Sequence, residues 1–295
     1  MMLEEAVVGI AQWLPTPGRS EENLNVALSF VAELGRAGCD VIVLPELWPS
    51  GFDWLSLTED VRSAAEPLDG PRTRALARAA RSTHAWLCAG TVPELVGGTV
   101  YNTLLLFDRT GELRARHRKT HLYEPLGESK AVAPGNEITI CRTEDFGEIG
   151  LSICFEGDFP EVARAMALRG AHVVLHPSAY ELGAERWWDV LYPAHALANG
   201  QWWIMADQCG TNRSGTLLGG SQIISPFGTV VARAGRAAAG ESPPAELLVA
   251  SVRLREDVER ADAEHGVLWK LRRADLYAEE LDGSLGVGSI EGRSR

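Results

Sequence analysis

The sequence has few cysteines, a deficit of basic residues and no long apolar run. Its five cysteines are odd in number and far apart, so we expect reduced thiols rather than a disulfide framework. The formal net charge of -12 argues against nucleic acid as a partner. No stretch approaches the roughly 20 apolar residues that a membrane span needs. With no recognisable signal peptide, these absences predict a cytoplasmic protein without a membrane partner.

The hydrophobic content predicts one domain followed by a short tail. Of the 295 residues, 45% are hydrophobic, which is enough for one large core. No linker interrupts residues 1–282, so we expect a single domain there. Residues 283–295 are rich in glycine and serine and are typical of a flexible tail. Within that tail, 290–293 resembles a protease-cleavage linker left from expression.

Short apolar runs alternate with amphipathic segments, which predicts an α/β fold with a mixed sheet. The expected strands are 6–13, 40–44, 85–91, 149–153, 171–176, 202–207 and 247–252, with hairpins at 101–118 and 219–232. The expected helices are one capped by Ser20, one opening at 69–71 and running to 81, then 161–169 and 187–199, the last kinked at Pro193.

Cys154 stands at a strand end, where a sharp turn leads into the helix 161–169. We expect Asp158 to cap that helix. The N–H groups of the turn and of the helix start would favour the thiolate, which is the reactive form. This pattern predicts a nucleophile, although a lone cysteine is also common as a small buried residue.

Charged residues follow two other predicted strands. Glu46 follows the strand 40–44, where a carboxylate is costly unless it is paired or solvated in a loop. Residues 117–121 form a charge run, which is also typical of a solvated edge. His172 and His176 share a strand face without companion ligands, so we predict neither a metal nor a cofactor.

Three stretches together resemble the nitrilase superfamily of carbon–nitrogen hydrolases. They are 44–46 (Leu-Pro-Glu), 117–121 (His-Arg-Lys-Thr-His) and 152–161, which contains Cys154 and ends in Phe-Pro-Glu. The resemblance implies a four-layer αββα sandwich with mixed sheets, which assembles into a homodimer or a higher homo-oligomer. It also implies a catalytic triad of Glu46, Lys119 and Cys154, with a second glutamate at Glu128.

The chemistry of this set is hydrolysis of a non-peptide carbon–nitrogen bond. Cys154 would attack the carbonyl carbon and form a thioester, releasing ammonia. Glu46 would carry the protons. Lys119 and a backbone N–H, that of Phe155, would stabilise the oxyanion, while Glu128 would hold Lys119 or the substrate nitrogen.

The expected substrate is a small amide or N-carbamoyl amine. Residues 120–123 resemble the amidase and carbamoyl-hydrolase branches, and 161–168 and 194–199 resemble N-carbamoylputrescine amidases. Relatives that bind acidic N-carbamoyl substrates keep an arginine soon after the cysteine, where this chain has Glu156, Gly157 and Asp158. We therefore predict a neutral or cationic substrate. The candidate substrate-binding residues are Trp54, Phe155, Glu156, His176 and Tyr180, although aromatic residues are more often core.

Other functions remain open on the sequence. The same residues would serve a nitrilase that converts a nitrile to an acid and ammonia. A glutaminase-like or binding subunit that depends on a partner is a further alternative. A cysteine redox sensor would need a resolving thiol, for which Cys141 and Cys209 are candidates.

Overall fold

The computed structural model describes residues 2–277, so the predicted tail 283–295 lies outside the described residues. The strands are β1 (Ala6–Gln12), β2 (Val41–Val43), β3 (Trp86–Val96), β4 (Thr99–Phe107), β5 (Leu113–Arg118), β6 (Ile140–Thr143), β7 (Gly147–Leu151), β8 (Ala171–Ser178), β9 (Trp202–Asp207), β10 (Cys209–Thr211), β11 (Thr216–Leu218), β12 (Gln222–Ile224), β13 (Val230–Arg233) and β14 (Glu246–Val252). The α-helices are α1 (Ser20–Arg36), α2 (Leu57–Ala64), α3 (Pro71–Thr83), α4 (Pro160–Leu168), α5 (Tyr192–Asn199) and α6 (Leu254–Leu271).

The strands form two mixed sheets of six strands each. The first sheet has the order β14-β1-β2-β3-β4-β5, with β1, β2 and β3 parallel. The second has the order β13-β12-β9-β8-β7-β6, with β7, β8 and β9 parallel. The outer strands of both sheets pair antiparallel. The predicted α/β class with mixed sheets is confirmed.

The two sheets pack face to face, with helices on their outer faces. Strand β2 shows why, because its side chains alternate between the two faces. Val41 and Val43 join a core that also contains Val173 of β8 in the second sheet. Ile42 points the other way and packs with Leu34 of α1. Helices α4 and α5 cover the outer face of the second sheet, which completes the predicted αββα sandwich.

Several predicted elements differ in detail. Ser20 is the first helical residue of α1 rather than its cap, and its hydroxyl accepts a hydrogen bond of 2.9 Å from Arg72. The predicted helix 187–199 is one π-turn, Trp187–Leu191, that continues directly into α5, so Pro193, which has no N–H donor, lies just after the π-turn inside a continuous helical segment. Within residues 2–277, no helix has the length and apolar composition needed to cross a membrane.

Facing sheets bring distant parts of the chain together. Glu46 follows β2 and Lys119 follows β5 in the first sheet, while Cys154 lies just beyond β7 in the second. Parallel strands direct their carboxyl ends to one edge, where loops supply functional side chains. The candidate site therefore forms where loops from the two sheets meet.

Candidate active site

The four residues predicted to be catalytic form one cluster, of which Lys119 and Cys154 line a cavity. The Lys119 ammonium lies 2.8 Å from Glu46 Oε1 and 2.9 Å from Glu128 Oε2, so it bridges the two carboxylates. All three side chains are at most 1% exposed. Cys154 lines the same cavity as Lys119 and is 8% exposed. The structure thus brings together the four residues that the sequence predicted.

The charges in this cluster depend on one another. Burial alone would lower the pKa of Lys119, but Glu128 and Glu46 raise it well above its ordinary value, so the lysine stays a cation. Burial raises the pKa of Glu46, while Lys119 lowers it in part. A buried charge without such partners would be strongly destabilising, which makes each member of the cluster necessary to the others.

Asn102 is a member of this cluster that the sequence did not reveal. Its side-chain amide donates hydrogen bonds of 2.8 Å to Glu46 and 3.3 Å to Glu128, and its backbone carbonyl accepts a bond of 2.9 Å from the Lys119 N–H. Asn102 therefore fixes both carboxylates and the lysine backbone from β4. A polar residue inside an apolar strand was the signal that could have identified it.

The nucleophile sits in strained backbone. Cys154 has φ +46°, in the left-handed region that non-glycine residues rarely adopt, and it opens a short 3-10 turn, Cys154–Asp158. The N–H groups at the start of such a turn have no partner within it, so they are available to an oxyanion. The hydroxyl of Tyr192 lies 3.3 Å from the Cys154 carbonyl, which helps to hold this geometry.

The resting nucleophile is a thiol rather than the expected thiolate. Burial raises the pKa of Cys154 well above its ordinary value, and Glu46 raises it further. Lys119 acts in the opposite direction but does not outweigh them. The sequence argument weighed the N–H groups of the turn and assigned the proton transfer to Glu46, but it did not weigh the effect of burial on the thiol. A base must therefore remove the proton during attack.

Glu156 is buried inside the scaffold, at 1% exposure, instead of facing the substrate. It accepts hydrogen bonds of 2.6 Å from the N–H of Ile153 and 2.6 Å from the N–H of Thr120, and His117 Nε2 lies 2.9 Å away. Burial alone would raise its pKa, but His117 and the bonds from Thr120 bring it down to about 2. Glu156 does not line the cavity, so its predicted contact with substrate is corrected.

A second buried network supports the other side of the nucleophile. His176 lies 3.1 Å from the Ser152 hydroxyl and 3.0 Å from the Tyr192 hydroxyl, which in turn lies 2.6 Å from that of Tyr180. Burial lowers the pKa of His176 to about 3, so the ring is neutral. His176 does not line the cavity, and its predicted substrate contact is likewise corrected.

Asp158 ends this network and does not cap α4. Its carboxylate accepts a hydrogen bond from the Tyr180 hydroxyl, and the residue before α4 is Phe159, which makes no side-chain cap. Burial raises the pKa of Asp158 to about 6, although the bond from Tyr180 partly offsets that effect. Asp158 lines the cavity, as does its partner Tyr180.

The cavity has a volume of about 550 Å³, and seven of its fifteen lining residues are aromatic. Its lining consists of Phe52, Trp54, Lys119, Tyr123, Cys154, Phe155, Asp158, Phe159, Ala179, Tyr180, Glu181, Leu182, Gly183, Ala184 and Trp187. Three of the candidate substrate-binding residues, Trp54, Phe155 and Tyr180, are in this lining. A space of this size admits a small molecule and excludes a folded polypeptide.

Other chemistries find less support in the described residues. Residues 2–277 contain no group of three metal-ligating side chains placed to hold an ion. Cys141 and Cys209, the candidate resolving thiols, are buried and do not line the cavity. Burial raises the pKa of both thiols, and unlike Cys154 neither has access to the cavity.

The chain is similar to known proteins over most of its length. A family model described as carbon-nitrogen hydrolase matches residues 6–259. A hydrolase of Schizosaccharomyces pombe is 35% identical over 236 residues, covering 76% of this chain and 71% of that protein. The omega-amidase NIT2 of Xenopus tropicalis is 28% identical over 283 residues, covering 92% of this chain and 97% of that protein. The structure of Saccharomyces cerevisiae Nit3, described as a member of the nitrilase superfamily, has a TM-score of 0.78 at 25% identity and covers 89% of this chain and 95% of its own.

Proposed function

The chain belongs to the carbon–nitrogen hydrolase family within the nitrilase superfamily, and we propose that it is an amidase that forms a thioester on Cys154 and releases ammonia. The observation that carries this proposal is the Lys119 ammonium held between Glu46 and Glu128 beside the thiol. Relatives named omega-amidase and deaminated glutathione amidase support an amide over a nitrile as the substrate.

Glu46 is proposed as the base that the raised pKa of the thiol requires. Its Oε1 is engaged by Lys119, whereas its Oε2 is buried without a hydrogen-bond partner among residues 2–277. That oxygen would take the thiol proton as the sulfur attacks the carbonyl carbon. Such positioned acid–base groups contribute on the order of 10²–10⁴-fold to the rate.

Lys119 and the N–H of Phe155 are proposed to stabilise the tetrahedral oxyanion. Lys119 remains a cation throughout, because its pKa is raised by the two glutamates. Glu128 holds the ammonium by two oxygens and is itself held by the N–H of Tyr123 at 2.7 Å, so its role is to position Lys119. Loss of one oxyanion donor commonly lowers turnover by about 10²–10³-fold.

The cycle closes without a cofactor. Protonated Glu46 gives its proton to the leaving nitrogen, the carbon–nitrogen bond breaks, and ammonia leaves while the acyl group stays on sulfur. Glu46 then takes a proton from water, which attacks the thioester carbonyl. The carbon–sulfur bond breaks, the acid is released, and the sulfur recovers its proton from Glu46.

The test is ammonia release from simple amides, N-carbamoyl amines and nitriles, with carbon dioxide followed in parallel. We expect ammonia without carbon dioxide from amides, no turnover by Cys154→Ala, and an acyl adduct on wild-type Cys154 by intact mass. Ammonia with carbon dioxide from carbamoyl compounds would replace the amidase with a carbamoyl hydrolase. Turnover of nitriles alone would indicate a nitrilase. Absence of turnover and of any adduct would favour the partner-dependent subunit.

We also propose that the chain forms a homodimer through the outer face of α4, α5 and α6. These helices carry exposed leucines: Leu168, Leu197, Leu268 and Leu271 are each at least 50% exposed. Apolar patches of this kind mark association surfaces. In sedimentation, wild type should be at least dimeric and Leu197→Glu should be monomeric. The control is Leu55→Glu, which changes an exposed leucine before α2 and should sediment as wild type does. A monomeric wild type would contradict the proposal.

The cytoplasm is our proposed location. All five cysteines are unpaired, which supports a reducing compartment. The Arabidopsis thaliana relative is named a chloroplastic omega-amidase. Fractionation of the source cells would decide between compartments.

A further inference from the structure

The walls of the active-site cavity carry two carboxylates that the proposed chemistry does not use. Asp158 and Glu181 both line it. Of residues 2–277, Lys119 is the only lysine or arginine in the lining, and its charge is already balanced by Glu46 and Glu128. The cavity as a whole is therefore negative.

Asp158 lies close to the reacting centre. Its partner, the Tyr180 hydroxyl, is 3.4 Å from the carbonyl oxygen of Cys154. Because burial raises the pKa of Asp158 only to about 6, the carboxylate is ionised at neutral pH and above. The Tyr180 hydroxyl supplies one of the hydrogen bonds that the Asp158 carboxylate can accept, and Asp158 is part of the cavity lining.

Glu181 lies further out, among aromatic rings. Its Oε1 accepts a hydrogen bond of 2.7 Å from Trp54 Nε1, which fixes the carboxylate in the cavity wall. Trp54 lies near Tyr123, with ring centroids 6.0 Å apart, and Trp187 lines the same cavity at 43% exposure. Aromatic faces beside a carboxylate form the environment that organic ammonium groups prefer.

We propose that this cavity selects small amides that carry an ammonium group, and that Asp158 and Glu181 determine that specificity. This inference rests on the proposed amidase function and narrows its substrate class. An amide that carries a carboxylate would place a third negative charge near Asp158 and Glu181. The described lining has no unpaired lysine or arginine to neutralise it. Specific sites use such repulsion to reject the wrong ligand.

The experiment compares amides that share a trimethylene chain and differ in the terminal group. These are γ-aminobutyramide with an ammonium group, valeramide with a methyl group and glutaramate with a carboxylate. We expect kcat/KM to fall in that order, with the ammonium compound favoured over valeramide on the order of tenfold. Glutaramate turned over as well as γ-aminobutyramide, or better, overturns the inference.

Charge-neutral variants identify the residues responsible. Glu181→Gln and Asp158→Asn should each lower the ratio of kcat/KM between γ-aminobutyramide and valeramide severalfold. The matched control is Glu185→Gln, because Glu185 does not line the cavity; it should leave the ratio as in wild type. A ratio unaffected by both cavity variants removes Asp158 and Glu181 from the specificity and overturns the inference.

Binding to Cys154→Ala separates this inference from the function on which it rests. Calorimetry with that variant should show γ-aminobutyramide binding more tightly than valeramide, and glutaramate binding most weakly. If wild type hydrolyses all three amides without charge preference, the specificity fails while the amidase stands. If Cys154→Ala keeps the preference but wild type hydrolyses no amide, the amidase fails while the charge selection stands.

Discussion

At the residue scale, neighbouring charges set the reactivity of Cys154, because burial and Glu46 raise the pKa of its thiol while Lys119 lowers it. The family resemblance implied that Glu46, Lys119 and Cys154 would meet; Lys119 and Cys154 line one cavity, and Glu46 lies 2.8 Å from Lys119. The protonation state could not be predicted, because it depends on burial and on the distance to Glu46. Asn102 was missed for the same reason, since only the folded sheet places it between two glutamates.

Glu46 is expected to act as the base for a resting thiol. Glu46→Gln keeps the shape and the hydrogen bond to Lys119 but cannot take a proton, so kcat should fall by about 10²–10⁴-fold. Alkylation of Cys154 by iodoacetamide, followed by intact mass, should slow as well. Glu148→Gln on β7 is the matched control and should behave as wild type. Unchanged kcat in Glu46→Gln would exclude Glu46 as the base.

At the element scale, segments with a clear apolar period were predicted and segments without one were missed. Strand β1, helix α1 and helix α4 lie within a few residues of their predicted bounds. Strand β6, helix α2, helix α6 and the hairpin between β3 and β4 were missed. Residues 254–271 carry charges on many positions, which hides the apolar stripe of α6, and the four residues of β6 are too few to show a period.

Gly90, in the irregular stretch of β3, sets the position of the Glu46 loop. Its φ is +63°, and a Cβ there would lie 2.0 Å from the Pro45 carbonyl oxygen. Gly90→Ala should therefore lower the unfolding free energy by about 3 kcal/mol or more, because the contact with Pro45 adds to the backbone strain. Gly98→Ala is the matched control: its φ is +86°, but a Cβ meets nothing within 4 Å, so it should cost about 1–2 kcal/mol.

Urea unfolding and kcat measure both effects of Gly90→Ala. The variant should also lose turnover, because Glu46 directly follows Pro45, whereas Gly98→Ala should keep it. Equal losses of stability in the two variants would mean that the contact with Pro45 is relieved without cost.

Glu156 joins two elements of the site, the loop after β5 and the turn after β7. It accepts the N–H of Thr120, next to Lys119, and that of Ile153, next to Cys154. We expect Glu156→Gln to lower kcat on the order of tenfold with little change in KM, since it disturbs the distance between the two residues. Stability should fall by about 2 kcal/mol, the scale of a lost hydrogen bond to a charged group.

The control for this prediction is Glu161→Gln, which changes an exposed glutamate at the start of α4. Steady-state kinetics and urea unfolding of both variants provide the measurement. A raised KM with unchanged kcat would instead place Glu156 in contact with substrate, as the sequence suggested.

At the scale of the whole molecule, the sandwich explains both the success and the limits of prediction from the sequence. Two sheets packed face to face bring the loops after β2, β5 and β7 to one place. The family resemblance implied that architecture. Part of the cavity wall lay beyond the motifs. Glu181 was identified only when the loop after β8 was seen to line the same cavity as Cys154.

The acid stability of the molecule should depend on His176. Its pKa is lowered by burial from 6.5 to about 3, so between those values the unfolded chain binds a proton that the folded protein excludes. The unfolding free energy should therefore fall as pH decreases below 6.5, with a slope approaching about 1.4 kcal/mol per pH unit from this residue.

His176→Gln keeps a neutral hydrogen-bonding side chain and should flatten the profile between about pH 6.5 and 5. The matched control is His84→Asn, because His84 is exposed and asparagine tolerates its left-handed φ of 54°. Urea midpoints at about pH 7, 6 and 5, at one protein concentration, give the comparison. Parallel profiles for wild type and His176→Gln would show that the folded protein accommodates a charged ring at this position.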